Sequence, residues 1–156
     1  MEKFYVTKEG LEKLRKEYKT LIEIRDLKAK DNLPEFLHSD ELNPEYAAFQ
    51  EDLTFLNQRI IDLEAIFKNY ELIKIPSKEK QNVVDLGATV TLEDKSGQIN
   101  EFTIVGTLES NPSLGKISNE SPVGKVLLGH KVNDEVVITS PIRVVYKIKK
   151  IKYHFL

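Results

Sequence analysis

Asn43-Pro-Glu-Tyr-Ala-Ala-Phe-Gln-Glu-Asp-Leu-Thr-Phe-Leu-Asn-Gln-Arg-Ile-Ile-Asp-Leu-Glu-Ala-Ile-Phe-Lys-Asn-Tyr70 places its large apolar residues at 46, 49, 53, 56, 60, 63, 67 and 70. The steps between them are 3, 4, 3, 4, 3, 4 and 3. A seam held over more than three heptads marks a long helix packed along another helix. Asn43 is a good N-cap, Pro44 suits the first helical position, and Glu45 puts negative charge in the first turn.

Upstream, Leu11, Leu14, Tyr18 and Leu21 repeat the same 3, 4, 3 spacing, with Thr7 as the expected N-cap. The next seam positions fall on Arg25 and Lys28, so the distal part is expected to pack less well. The spacing predicts a helix to about Asn32, ended by Pro34. Pro34 and Pro44 bracket a short connection between two helices of similar length, which predicts an antiparallel helical hairpin. With both helices in one chain, the pair is expected to be intramolecular and the protein a monomer; a dimerising coiled coil is the alternative.

Residues 76–82, Pro-Ser-Lys-Glu-Lys-Gln-Asn, read as a linker. Beyond it the period changes to two. Ala88–Leu92 alternates, Asp94–Gly97 is a turn, and Glu101–Gly106 resumes, which makes a hairpin. Leu108–Lys116 reads as a loop. Ser121-Pro-Val-Gly-Lys-Val-Leu-Leu-Gly129 reads as a short capped helix stopped by its last glycine. Glu135–Thr139 and Arg143–Ile151 read as two more strands. The expected fold class is α+β: a coiled-coil hairpin over 1–75 with an acidic tip at about 34–43, a linker over 76–82, and a small antiparallel-sheet domain with one short helix over 83–156.

The 156 residues are 40% hydrophobic and 31% charged, which describes a chain able to bury a core. A net charge of −2 argues against autonomous binding to bare nucleic acid. With no cysteine there is no disulfide framework and no thiolate metal site. No apolar run approaches the roughly 20 residues needed to cross a bilayer, and the N-terminus lacks an apolar signal core. A cytoplasmic protein with no membrane partner is expected. Residues 1–75 hold 12 Lys+Arg against 16 Asp+Glu, whereas 76–156 hold 11 against 9.

No nucleophile–base pair stands out, and His38, His130 and His154 show no ligand spacing. The loaded stretch is the tip. Asp31, Glu35, Asp40, Glu41 and Glu45 occur there without a Lys or Arg among them. Carboxylates without basic partners repel one another and favour a hard cation such as Mg²⁺. Asp40 and Glu41 are too few to close a cage, but could complete one whose other ligands come from a partner or a phosphate. Arg143, Lys147, Lys149, Lys150 and Lys152 read as the solvent side of an edge strand, or as a contact for nucleic acid or an acidic protein face.

These stretches resemble the Gre family of bacterial transcript cleavage factors, GreA and its relatives, over essentially the whole chain. Val6–Leu14 is similar to the family's opening helix, and Asn43–Asp52 with Phe55, Arg59, Ile60, Leu63 and Glu64 to its second. Gly115-Lys-Ile-Ser-Asn-Glu-Ser-Pro-Val-Gly-Lys-Val-Leu-Leu-Gly129 with Asn133-Asp134 is close to its isoleucine-serine … serine-proline … leucine-glycine … glycine-aspartate signature, asparagine replacing the last glycine. The resemblance implies a coiled-coil hairpin and an FKBP-like C-terminal domain. It implies binding to RNA polymerase, with the hairpin in the secondary channel and RNA 3′ ends met only inside that complex. It also implies tip carboxylates that help hold the polymerase's second Mg²⁺ during hydrolysis of backtracked RNA. On it, Asp40 and Glu41 are the expected catalytic and metal-holding acids. Ser121, Pro122, Leu127, Leu128 and Gly129 are expected to meet the polymerase. The factor itself is expected not to be an enzyme and to hold no Mg²⁺ stably when free.

The family tip usually reads glycine-aspartate-leucine-serine-glutamate-asparagine-alanine-glutamate-tyrosine. Aligned on Asn43, Glu45 and Tyr46, Ser39 stands at its aspartate and Leu42 at its glutamate, with Asp40 and Glu41 each displaced by one. Two readings therefore stay open: a cleavage factor, and a channel-binding regulator or inhibitor without cleavage. A prolyl isomerase and a generic coiled-coil adaptor are the readings from other classes.

Overall fold

The computed structural model of the chain describes residues 3–31, 44–139 and 141–154. The tip, with Asp40, Glu41 and the Asn43 cap, lies outside the described residues. The chain divides into two compact units: Leu11–Asn69, and Met1–Gly10 together with Tyr70–Leu156.

The helical unit is built from α1 (Lys8–Asp31) and α2 (Pro44–Lys68). Their pairing is antiparallel. Glu17 meets Arg59 while Lys28, further along α1, meets Asp52, earlier in α2. The Arg59 guanidinium grips the Glu17 carboxylate through two bonds of 2.6 and 3.0 Å. Tyr18 donates to Glu64 at 3.0 Å and sets its ring edge-on to Phe67, centroids 5.5 Å apart. On the seam, Ile60 and Leu63 are buried. Where the α1 seam runs onto Arg25 and Lys28, Ile24 and Leu27 beside it are left exposed, Leu27 at 60%. The heptad pattern over-reached at one end. α2 stops at Lys68, and Tyr70, the last residue of the run, opens a strand.

That strand, β2 (Tyr70–Leu72), pairs in parallel with β1 (Phe4–Val6). Both belong to the sheet unit, although the seam carried Tyr70 into the helix. Thr7 caps α1 as expected, its hydroxyl accepting from the Gly10 N–H at 3.0 Å. The same hydroxyl donates to the Glu109 carboxylate, which also accepts from the Thr7 N–H at 2.7 Å. Val6 and Ile73, on either side of this tie, are buried.

The main sheet contains β3 (Ala88–Asp94), β4 (Ile99–Val105), β5 (Lys116–Ser118), β6 (Glu135–Ile138) and β7 (Val144–Tyr153), in the order β5-β4-β3-β7-β6. The pairs are antiparallel except β4 with β5, a short parallel edge strand that begins at Lys116, the last residue of the expected loop. The β3–β4 turn is Asp94–Gly97, as expected. The Asp94 carboxylate accepts from the Ser96 N–H and hydroxyl and from the Gln98 N–H, and Gly97 takes φ +85°. One helix, α3 (Pro122–Leu127), packs on the sheet. The core gathers Val84, Ala88, Val90, Leu92, Ile104, Ile117, Leu127, Val136 and Ile148.

The basic strand is an edge over part of its length. β7 lies between β3 and β6 only over Val144–Lys147; beyond that, Lys149–Tyr153 run beside β3 alone, so the edge reading holds for Lys149, Lys150 and Lys152 but not for Lys147. The register of β7 with β3 shifts between Thr91 and Leu92: Thr91 faces Lys150, but Leu92 faces Ile148. Lys149 is therefore the extra residue of a bulge. This explains the doublet Lys149-Lys150 in an otherwise alternating strand, because Ile148 and Ile151 both stay against the core. Lys149 pairs with Glu93 at 3.0 Å.

Candidate partner-binding face

The loop entering α3 is built by two serines. Ser118 accepts at its carbonyl from the Ser121 N–H at 3.0 Å and from the Ser121 hydroxyl at 2.6 Å. The Ser121 hydroxyl in turn accepts from the Gly124 N–H at 3.1 Å, an N-cap, and Pro122 takes the first helical position. Gly124 is there because nothing larger fits: a Cβ would stand 2.1 Å from the Ser118 carbonyl oxygen. The cap exposes the Pro122 ring.

At the other end Gly129 adopts φ +83°, the left-handed stop that glycine supplies. Its N–H donates to Val84 O at 2.9 Å, and Val84 N–H donates to His130 O at 2.9 Å. The following turn contains Asn133 at φ +74°. This is the position where asparagine replaces the signature glycine, and asparagine is one of the few side chains that tolerates it. Asp134 accepts from the Lys131 N–H at 2.8 Å and sits 3.2 Å from His130 Nδ1. The Lys131 N–H first, and His130 second, hold the Asp134 carboxyl below its ordinary value.

The five residues expected to contact a partner separate by exposure. Pro122 and Gly129 are exposed, Ser121 and Leu128 half-buried. Leu127 is fully buried at 0% and belongs to the core under α3, so its side chain holds the helix and presents nothing outward. Leu128 and Gly129 line a surface pocket of about 410 Å³ with Pro76, Lys80, Val83, Val84 and Asp85. Nothing in the residue pattern indicated that residues 83–85 would return beside α3. Nor did it single out Tyr153, whose hydroxyl donates to Val83 O at 2.6 Å and accepts from the Asp85 N–H at 2.9 Å. Among the described residues, no group of three or more His, Asp or Glu could hold a metal ion. No described helix is long and apolar enough to cross a membrane.

Two family models cover the chain almost end to end. One, described as transcription elongation factor, N-terminal, matches residues 4–72; the other, transcription elongation factor, GreA/GreB, C-term, matches residues 78–153. The chain belongs to the GreA/GreB family. Transcription elongation factor GreA of Thermomicrobium roseum is 41% identical over 142 residues, 90% of each chain. GreA of Mycoplasma pneumoniae is 36% identical over 155 residues, 97% of this chain and 96% of the other. Among solved structures, GreA factor homolog 1 of Thermus thermophilus is 28% identical, covering 97% of this chain and 99% of the other, with a TM-score of 0.44. Ser118, Ser121 and Gly124 at one end of α3, and Gly129, Asn133 and Asp134 at the other, are residues that the turns themselves require.

Proposed function

We propose that this GreA/GreB-family protein binds bacterial RNA polymerase in the cytoplasm as a single copy. It would reach the catalytic centre through the secondary channel and stimulate hydrolysis of backtracked RNA. The observation that carries the reading is the segment joining the two paired helices. From Asp31 to Glu45 it contains five carboxylates and no Lys or Arg. Asp40 and Glu41 would supply hard oxygen ligands to Mg²⁺ held jointly with the polymerase, a donor set that suits this cation. When bound, such a cation activates water and balances charge on the leaving oxygen. The chain's own contribution is positioning: α1 and α2 hold the acidic segment, and the face around Ser121, Pro122, Leu128 and Gly129 docks on the polymerase. The hydrolysis itself belongs to the polymerase, so the factor is not an enzyme in its own right, and RNA is met only inside the complex.

The test is addition of the protein to stalled, backtracked complexes. Shortening of the RNA above the polymerase's own rate is the expected result; unchanged RNA with no binding would overturn the reading. A second reading has one observation in its favour: Ser39 and Leu42 stand where the family usually carries its aspartate and glutamate. On it the protein occupies the channel as a regulator without cleavage. Binding with slowed nucleotide addition and no shortened RNA would select it.

A further inference from the structure

Tyr153 ends the last described strand, opposite Ala88, yet its hydroxyl bonds to neither neighbouring strand. It reaches Val83 and Asp85, donating to the carbonyl of one at 2.6 Å and accepting the N–H of the other at 2.9 Å. Val84, between them, is almost completely buried and exchanges two backbone bonds with the end of α3, from Gly129 N–H and to His130 O, each 2.9 Å. Val83 also forms an isolated antiparallel bridge with Lys131. A continuous chain of hydrogen bonds thus runs from the Tyr153 hydroxyl, through 83–85, to the backbone of Gly129 and His130. Burial pushes the Tyr153 phenol above its ordinary value, so it stays protonated and able to donate at neutral pH.

We infer that Tyr153 is a positioning residue for the docking face: its hydroxyl fixes Val83–Asp85 and, through Val84, sets the backbone at Gly129 beside Leu128. The inference rests on the reading of Ser121, Pro122, Leu128 and Gly129 as the face that meets RNA polymerase. It adds that this face has a second wall, residues 83–85, locked by a side chain some 70 positions away in sequence. Without the lock the docking conformation is only fractionally populated, and apparent affinity falls by that fraction.

The experiment measures binding of the full chain to core RNA polymerase, with saturating cleavage rate as a second readout. Four proteins are compared: the parent, Tyr153→Phe, Pro122→Asp, and Thr89→Val with Thr103→Val. The last pair loses a hydroxyl–hydroxyl bond of 2.9 Å on the side of the sheet away from the core. Tyr153→Phe is expected to weaken binding on the order of 10-fold, the loss of two hydrogen bonds of ordinary worth, and to leave the saturating rate unchanged. Amide exchange at Val84 and Gly129 should quicken in the same variant. The threonine pair should bind as the parent does. If Pro122→Asp binds like the parent, the docking reading fails and takes the inference with it. If Pro122→Asp weakens binding and Tyr153→Phe does not, the inference alone is overturned. Equal weakening in Tyr153→Phe and the threonine pair would reduce the effect to general destabilisation and overturn it as well.

Discussion

Gly124 shows how tightly single positions are held. A Cβ there would meet the Ser118 carbonyl oxygen at 2.1 Å, and that oxygen is already fixed by two bonds from Ser121. Backbone cannot swing aside as a side-chain end can, so Gly124→Ala should destabilise by about 1–3 kcal/mol, measured by urea unfolding. A change below a few tenths would mean the loop has slack the geometry does not show. Acid sensitivity is the second residue-scale expectation. Asp94 and Asp134 both have carboxyls held below the ordinary 3.8, Asp94 chiefly by the Ser96 side chain and Asp134 chiefly by the Lys131 N–H. A depressed folded-state pKa contributes stability in full above the unfolded value, and that stability is lost as pH falls through the folded value. The melting temperature should therefore fall below about pH 4, and fall less in Asp94→Asn with Asp134→Asn. An identical acid profile for parent and variant would assign the loss elsewhere. Of this detail the sequence showed the turns, through Gly97, Ser121 and Gly129, because turn chemistry is local. It also put Leu127 on one apolar face with Val123 and Val126, which favours the core over the partner contact that the resemblance implied, and the structure keeps Leu127 for the core.

At the scale of elements, long repeats were legible and short ones were not. The seams of α1 and α2 each carry several turns of evidence, and the structure pairs them antiparallel as the spacing required. β1, β2 and β5 have three residues each, too few to display alternation, and the β1–β2 partners lie 66 positions apart. The bulge at Lys149 was present in the sequence as a broken alternation, but only the register of β3 against β7 gives it meaning. Two ties make contrasting predictions. Thr7 is buried, and Glu109 accepts from both its N–H and its hydroxyl. Glu109→Ala strands these groups and should cost about 1–3 kcal/mol in a denaturant titration. Glu17 and Arg59 form a charged pair through two bonds of 2.6 and 3.0 Å, but both remain well exposed. Glu17→Ala should change stability by less than about 1 kcal/mol, because solvent screens the pair. A larger loss from Glu17→Ala than from Glu109→Ala would reverse this ordering of burial over charge pairing.

The whole molecule divides its labour along the chain. Both family models find their match, one on 4–72 and one on 78–153, and charge follows the same division, acidic in the first half and slightly basic in the second. Each unit has its own source of order: a heptad seam in Leu11–Asn69, and, among the described residues of the other, a five-stranded sheet packed by α3 together with the β1–β2 pair. The acidic segment between α1 and α2 is where family resemblance and local chemistry converge, and also where this chain departs from the usual family tip. The proposed cleavage function requires Asp40 and Glu41 to do the work of the displaced acids. Cleavage of RNA in a stalled, backtracked polymerase complex, with the parent protein and with Asp40→Ala plus Glu41→Ala, tests that most directly. The parent should shorten the RNA well above the polymerase's own rate. The double variant should bind equally well yet lose on the order of 100-fold of the stimulation, the scale set by a misplaced catalytic group. Equal cleavage by the double variant would contradict the assignment of the tip acids, and no stimulation by the parent would contradict the cleavage function itself.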